Sequence, residues 1–149
     1  MKYLDNENFL CIVKNTPLVS IDFIISCRKK ILLGKRNNRP AQGSWFVPGG
    51  RIRKNESIEK AMLRILNKEL GLVYDNCSEF RFRGVYEHFY SDSFLNEVES
   101  THYVVLCYEI EINEFFDFYK DDQHSRLCWF TKESILLLEN VHHYTKQYF

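Results

Sequence analysis

The segment from Gly50 to Leu72 constrains the fold more than any other part of the chain. Its helical periodicity begins at Ser57 and ends at Gly71, a residue type that favours the left-handed conformation of a helix end. One face of this predicted helix is an apolar stripe, which consists of Ile58, Ala61, Met62 and Ile65. The segment therefore predicts a helix that packs against a core and follows a glycine loop.

Glu69 lies on the same apolar stripe, in the last turn of the predicted helix. A carboxylate directed towards a core is costly unless it is paired, and the negative end of the helix dipole adds to that cost. From this residue alone, two interpretations remain open. Glu69 either binds a cation, or it pairs with a basic side chain or reaches water at a frayed helix end.

The rest of the chain alternates between strand-like and helical patterns. A short helix is predicted over 6–14, strands over 17–27, 31–36, 45–50, 79–91, 101–112 and 127–131, and a last helix over 131–140. The double glycine ends the third strand, and 120–125 is predicted as a loop. With 149 residues and 45% hydrophobic content, we expect one domain, 1–149, that folds as an α/β sandwich with a mixed sheet.

Charge and cysteine content exclude several classes of function. Twenty basic residues balance twenty acidic ones, so we expect no field that recruits nucleic acid or an anionic membrane. An anion would need a local cluster, and one flanks the double glycine: Lys35, Arg36, Arg39, Arg51, Arg53 and Lys54. The five scattered cysteines are typical of reduced core residues, and the chain shows no leader or membrane-spanning pattern, so a cytoplasmic location is expected.

A long spaced pattern joins the glycine loop to the helix. It consists of Gly50, Glu56 after five residues, Arg64 after seven more, and then Glu69, Gly71 and Leu72. This pattern resembles the signature of the Nudix hydrolases, which implies an α/β/α sandwich and a loop and helix that bind a divalent cation and a diphosphate. The family expects glutamates where this chain has Ile65 and Lys68. One carboxylate supports one metal ion, which places water attack at phosphorus between bridging metals in doubt.

GDP-mannose mannosyl hydrolases, a divergent Nudix subfamily, lack the same two glutamates. The resemblance covers nearly the whole chain, in TPLVSIDFI, LLGKRNNRPAQGSWFVPGGR, GVYEHFY, THYVVL, DDQH and ENVH. It implies cleavage at the sugar carbon and one Mg²⁺ per subunit, replaceable by Mn²⁺. The metal ligands it implies are the backbone carbonyl of Gly49, the carboxylate of Glu69 and the side chain of Gln123.

The resemblance also implies roles for residues around the substrate. His124 occupies the position of the general base, and an imidazole suits that task at neutral pH. Arg36, Arg51 and Tyr103 resemble the residues that contact the diphosphate and stabilise the leaving group. Arg64 is expected to orient Glu69 or Glu56.

The remaining candidates would contact the sugar or the base. Asp22 interrupts an apolar strand, and either pairs with an arginine or, with His88 and Tyr90, binds sugar hydroxyls. Tyr3 and Phe9 match the segment that stacks on guanine, although Phe9 also fits the apolar face of its own helix. The resemblance further implies a homodimer. A conventional pyrophosphohydrolase and a non-catalytic GDP-sugar-binding domain remain as alternatives.

Overall fold

The computed structural model describes residues 4–116 and 124–149, with only the backbone described at 124 and 125. The elements in chain order are α1 Asn6–Asn15, β1 Leu18–Cys27, β2 Lys30–Arg36, β3 Trp45–Phe46, β4 Gly49–Arg51, α2 Ile58–Leu70, β5 Arg81–Tyr90, β6 Thr101–Ile112, β7 His124–Thr131, α3 Lys132–Leu137 and α4 His143–Lys146. No helix in these ranges is long and apolar enough to span a membrane.

The strands form one mixed sheet in which β1 occupies the centre. The main order is β3-β2-β1-β6-β5, with β4 paired to β1 and β7 paired to β2. β1 runs parallel to β6, and it pairs with β2 only at its end, at Ser26 and Cys27. At 20–22 the partner of β1 is instead β4. β1 and β2 therefore separate along the sheet, and the double glycine lies in the opening between them.

Helix α2 forms as its sequence predicts. The Ser57 side chain accepts a hydrogen bond from the Lys60 backbone, and Gly71 ends the helix with φ 68°, donating to the Leu66 and Asn67 carbonyls. The prediction that Ile58 belongs to the buried stripe was wrong, because 43% of it is exposed. The buried face is centred on the middle and last turns, where it consists of Ala61, Met62, Ile65, Leu66, Glu69 and Leu70.

Helices cover both faces of the sheet. On one face, α2 packs against Ile21, Phe23 and Ile25 of β1. On the other face, Ile135 of α3 and the C-terminal Tyr148 pack with a second cluster, whose strand members include Ile24, Leu33 and Cys107. Because successive strand residues point to opposite faces, one strand contributes to both cores. The predicted α/β/α sandwich with a mixed sheet is confirmed.

Several predicted boundaries differ from the structure. The double glycine is not a break, because β4 pairs in register with β1 and the ladder holds its backbone extended. His124 and Ser125, predicted in a loop, begin β7. The last helix ends at Leu137, since Leu138 is extended, and α4 was not predicted. The described cysteines are free, but Cys11 is exposed and not in the core.

Candidate active site

Adjacent strands β1, β6 and β5 direct polar side chains into one cavity of about 90 Å³. Tyr103 stands opposite His88 in the β5–β6 ladder, and β6 in turn pairs with β1. Strand alternation turns Asp22 away from the α2 core to which its neighbours Ile21 and Phe23 contribute. The cavity is lined by Ser20, Asp22, Arg36, Pro40, Phe46, Val47, Gly49, Gly50, Arg51, His88, Tyr90 and Tyr103. Ordinary ligand pockets measure roughly 300–1,000 Å³, so this cavity encloses only part of a nucleotide-sized ligand.

Asp22 is satisfied by a tyrosine and not by an arginine. The Tyr148 hydroxyl donates to Asp22 Oδ2 at 2.6 Å, and the same hydroxyl lies 3.4 Å from His88 Nε2. The Tyr90 hydroxyl lies 3.4 Å from His88 Nδ1. These contacts join four side chains on three separate parts of the chain. Sequence reasoning missed Tyr148, although its spacing of four residues from Tyr144 was a signal of an apolar helical face.

Two arginines with aromatic neighbours lie at the cavity. The Arg36 guanidinium lies 5.5 Å from the centre of the Phe46 ring. The Arg51 guanidinium lies 4.2 Å from the centre of the Phe9 ring in α1. Cation–π contacts of this kind hold an exposed guanidinium in place. Phe9 therefore contacts Arg51, which is one of the residues predicted to bind the diphosphate.

Burial shifts the pKa values of the cavity's titratable groups. It raises the pKa of Asp22 to about 6, against the opposing effects of the Tyr148 hydrogen bond and the Arg36 charge. It lowers the pKa of His88 to about 4, with a further contribution from His142 and His143. It also raises the pKa of the Tyr90 and Tyr103 phenols. His88 and both tyrosines are therefore neutral at pH 7.

The loop before α2 is closed by an ion pair. Glu56 accepts hydrogen bonds from Arg64 Nε at 2.6 Å, from Arg64 Nη2 at 2.7 Å and from the Arg53 backbone at 2.9 Å. Arg64 Nη2 also donates to the Arg51 carbonyl at 2.8 Å. Arg64 thus contacts Glu56, one of the two carboxylates expected for it, and fixes the loop on the helix.

The double glycine is packed on both sides. A Cβ on Gly49 would lie 2.4 Å from the Ile21 carbonyl oxygen and 2.5 Å from Asp22 Oδ1. A Cβ on Gly50 would lie 3.1 Å from Cγ1 of Ile65. Ile65 is 1% exposed, and Lys68 lies on the exposed side of α2. The resemblance predicts carboxylates at positions 65 and 68. A buried hydrocarbon side chain occupies position 65, and position 68 is exposed to solvent.

Glu69 is the only acidic residue on the buried face of α2, with 6% of its surface exposed. Across residues 4–116 and 124–149 there is no group of three His, Cys, Asp or Glu side chains that could hold a metal ion. Glu69 is not among the residues that line the cavity, whereas Gly49 is. A carboxylate and a backbone carbonyl are oxygen donors of the kind that suits a hard cation which keeps water ligands, such as Mg²⁺. The residues present thus fit a single-metal site and not a cluster of carboxylates.

The structure collects most of the predicted site residues and leaves three side chains outside its description. Seven of them line the cavity: Gly49, Asp22, Arg36, Arg51, His88, Tyr90 and Tyr103. Phe9 adjoins it through Arg51. The backbone of His124 pairs with Arg36, but its side chain is not described. Tyr3 and Gln123 lie outside the described residues.

Comparison with known proteins identifies the class to which this fold and loop–helix belong. The family model of the NUDIX domain matches residues 16–149, so the chain belongs to the Nudix hydrolase family. The MutT NUDIX hydrolase from Burkholderia pseudomallei superimposes with a TM-score of 0.73 at 25% identity, over 90% of this chain and 96% of that one. The NUDIX domain of Shewanella oneidensis NrtR, solved with ADP ribose, gives 0.69 at 19% identity over 97% and 96%, which shows the fold alone.

Two relatives are similar to this chain in sequence. The low-salt glycan biosynthesis protein Agl8 of Haloferax volcanii is 37% identical over 145 residues, which cover 97% of this chain and 88% of that protein. The ADP-ribose pyrophosphatase of Methanocaldococcus jannaschii is 42% identical over 57 residues, or 38% of this chain and 34% of that protein. Nudix hydrolases generally use a divalent metal such as Mg²⁺ or Mn²⁺.

Proposed function

We propose that this protein hydrolyses GDP-mannose, with GDP-glucose as an alternative substrate, to GDP and the free sugar, by attack of water at the anomeric carbon with inversion. The observation that carries the proposal is the packing of Ile65 against Gly50, which leaves Glu69 as the single buried carboxylate of α2. Attack at phosphorus between bridging metals needs more carboxylates than this helix offers. Water is therefore proposed to attack the anomeric carbon, a reaction in which a single metal would serve only the leaving group.

The diphosphate is bound by the arginines and Tyr103. In the proposed step the anomeric C–O bond breaks, and its electron pair remains on the diphosphate oxygen of GDP. Arg36 and Arg51 oppose this growing negative charge from one cavity. Tyr103 remains protonated because burial raises its pKa, so its hydroxyl can donate a hydrogen bond to the same group.

The sugar is bound by Asp22, His88 and Tyr90. As the bond breaks, positive charge develops on the sugar ring. An ionised Asp22 stabilises that charge, and its pKa of about 6 leaves it mostly ionised at pH 7. His88 and Tyr90 are neutral and complete the sugar site. The Tyr90 hydroxyl hydrogen-bonds to a sugar hydroxyl, and His88 orients Tyr90 through the 3.4 Å contact between its Nδ1 and that phenol. Their position in a cavity too small for the whole substrate supports a subsite for the sugar.

His124 is the proposed general base. Its backbone pairs with that of Arg36, which lines the cavity, and this pairing supports the proposed role. It takes a proton from the attacking water, whose oxygen forms the new bond to carbon on the face opposite GDP. Inversion at that carbon follows.

Gly49, through its carbonyl, Glu69 and Gln123 would hold one Mg²⁺, for which Mn²⁺ can substitute. When bound, the metal neutralises charge on the departing diphosphate. Tyr3 and Phe9 are proposed at the guanine. The proposal includes a homodimer. The relative named for glycan biosynthesis supports an activated sugar as the substrate, because glycan synthesis consumes activated sugars.

A second candidate is cleavage of the P–O–P bond of a nucleoside diphosphate derivative. The local similarity to an ADP-ribose pyrophosphatase favours it, although that similarity covers only 38% of this chain. A third is GDP-sugar binding without catalysis.

Hydrolysis of GDP-mannose in ¹⁸O-labelled water with Mg²⁺ distinguishes the three functions. The proposal expects GDP as product and the label on mannose. Label on a phosphate together with GMP would establish the pyrophosphohydrolase. Binding without turnover, measured by calorimetry on the same preparation, would establish the binding domain.

A further inference from the structure

Tyr148, the penultimate residue of the chain, is held firmly beneath the cavity. It is 3% exposed, its N–H donates to the Thr145 carbonyl at 3.2 Å, and Arg83 Nη2 donates to its carbonyl at 3.4 Å. Thr145 is itself fully buried, and its hydroxyl donates to the Trp45 carbonyl at 3.5 Å. The C-terminal segment is thus anchored at both β3 and β5, which fixes where the Tyr148 hydroxyl lies.

The Tyr148 hydroxyl has one hydrogen and two neighbours. An ionised carboxylate only accepts, so the hydrogen at the 2.6 Å contact goes to Asp22 Oδ2. The phenol oxygen is then free to accept a hydrogen bond from His88 Nε2 at 3.4 Å. The direction of this second bond requires that the imidazole has its hydrogen on Nε2.

The other contacts of His88 agree with that tautomer. Its Nδ1 lies 3.4 Å from the Tyr90 hydroxyl, which can donate to an unprotonated Nδ1. The Tyr144 ring stacks on the imidazole at 4.2 Å and 10°, which fixes the plane of the ring. The low pKa of His88 keeps it neutral, as a directed chain of hydrogen bonds requires.

We propose that Tyr148 is a positioning residue of the sugar site, whose hydroxyl links His88 to Asp22 and holds His88 in the Nε2–H tautomer. The chain of hydrogen bonds runs from Tyr90 through His88 and Tyr148 to Asp22. Its two ends, Tyr90 and Asp22, both line the cavity. One hydroxyl from the C-terminus therefore sets how both ends meet the hydroxyls of a hexose, a role that rests on the proposed function.

Tyr148→Phe tests this role, because it removes the hydroxyl and keeps the ring that packs edge-on against Tyr86 at 4.8 Å. Tyr86→Phe is the matched control, since it removes a neighbouring phenol from outside the chain of hydrogen bonds. We expect Tyr148→Phe to lower kcat for GDP-mannose by about tenfold or more, the usual effect of losing a hydrogen bond to a charged group. The affinity for GDP alone should change by less than about twofold, and Tyr86→Phe should resemble wild type.

The ¹⁵N chemical shifts of His88 provide a second measurement, which does not depend on turnover and can be made on the wild-type protein. We expect the Nε2–H tautomer to dominate in the wild-type protein and to become mixed in Tyr148→Phe. A wild-type His88 with hydrogen on Nδ1 would overturn the proposal, whatever the kinetics.

The two proposals fail differently. If wild type hydrolyses GDP-mannose and Tyr148→Phe matches Tyr86→Phe in kcat, the role of Tyr148 is wrong and the proposed function stands. If wild type does not hydrolyse GDP-mannose, the proposed function is wrong and so is any sugar-site role for Tyr148, even where the tautomer is as expected.

Discussion

The side chain of Ile65 lies against the α-carbon of Gly50, so that the helix and the glycine loop meet through hydrocarbon. A Cβ at position 50 would lie 3.1–3.4 Å from three Ile65 carbons, and Ile65 is 1% exposed. This contact occupies a position at which related proteins are expected to present a carboxylate. It connects the fold of the loop to the chemistry that the loop can support.

The two glycines should differ in their tolerance of a methyl group. Gly49→Ala should destabilise the protein by about 3 kcal/mol, because its Cβ would meet the Ile21 carbonyl, which cannot move without breaking the sheet. Gly50→Ala should cost about 1 kcal/mol, since the Ile65 side chain can shift. Urea unfolding measures both. Ile65→Ala removes the side chain that a Cβ at position 50 would meet. The double variant Gly50→Ala/Ile65→Ala should therefore lose less free energy of unfolding than the sum of the two single variants, and additive losses would contradict the contact.

A glutamate at position 65 of α2 should make the stability of the protein depend on a divalent metal. Ile65→Glu should lower the free energy of unfolding by about 3 kcal/mol at pH 8 without metal, because it buries a charge next to Gly50. Millimolar Mg²⁺ or Mn²⁺ should recover part of that loss, as seen in thermal melts.

Ile65→Gln is the control for that substitution, because it has the same size without the charge. It should be destabilised but should gain no more from metal than wild type does. Equal gains for the two variants would mean that position 65 does not face the metal site.

The Glu56–Arg64 pair should stabilise the loop in a pH-dependent way. The Arg64 hydrogen bonds hold the pKa of Glu56 below its ordinary value, so the stabilisation is complete above about pH 4.5 and is lost as the pH falls through the lower folded value. Glu56→Gln should therefore cost about 2 kcal/mol at pH 7, and less at a pH below the ordinary value of 4.5. Urea midpoints at the two pH values test this. A pH-independent difference would indicate that packing, and not the charge, holds the loop.

His88 should make the protein less stable in mild acid. Its folded pKa of about 4 lies below the ordinary 6.5, so its contribution is complete above pH 6.5 and is lost as the pH falls towards 4. His88→Phe should remove a slope of up to about 1.4 kcal/mol per pH unit in that range. The raised pKa of Asp22 makes stability change with pH in the opposite direction. Asp22 is present in both proteins, so the difference between their slopes reports His88. An unchanged slope in His88→Phe would contradict the assignment.

Phe9 should act on the diphosphate through Arg51 and not only on the base. Phe9→Leu removes the ring beneath the guanidinium, and a cation–π contact at an exposed site contributes about 0.5–1 kcal/mol. Binding of GDP, ADP and inorganic pyrophosphate should each weaken by about two- to fivefold in calorimetry. A loss confined to GDP would instead identify Phe9 as a guanine-stacking residue.

The sequence by itself determined the elements whose signals are local. The bounds of α2 follow from the capping residues Ser57 and Gly71 and from the apolar periodicity between them, all of which are local to the helix. The burial of Glu69 follows from the same periodicity, and the alternation along β1 already separates Asp22 from Ile21 and Phe23. The loop–helix pattern was sufficient to predict the family and the sandwich fold.

Only the tertiary structure decided how distant segments complete the site. Strand pairing holds the double glycine in β4, and the separation of β1 from β2 makes room for it. Tyr148 bonds to Asp22 across 126 positions of sequence, and Phe9 meets Arg51 from another element. No local pattern encodes such contacts, because they depend on strand register and on the path of the C-terminal segment across the sheet. The sequence specified which residues are polar within an apolar core, and the fold decided which of them share a hydrogen bond.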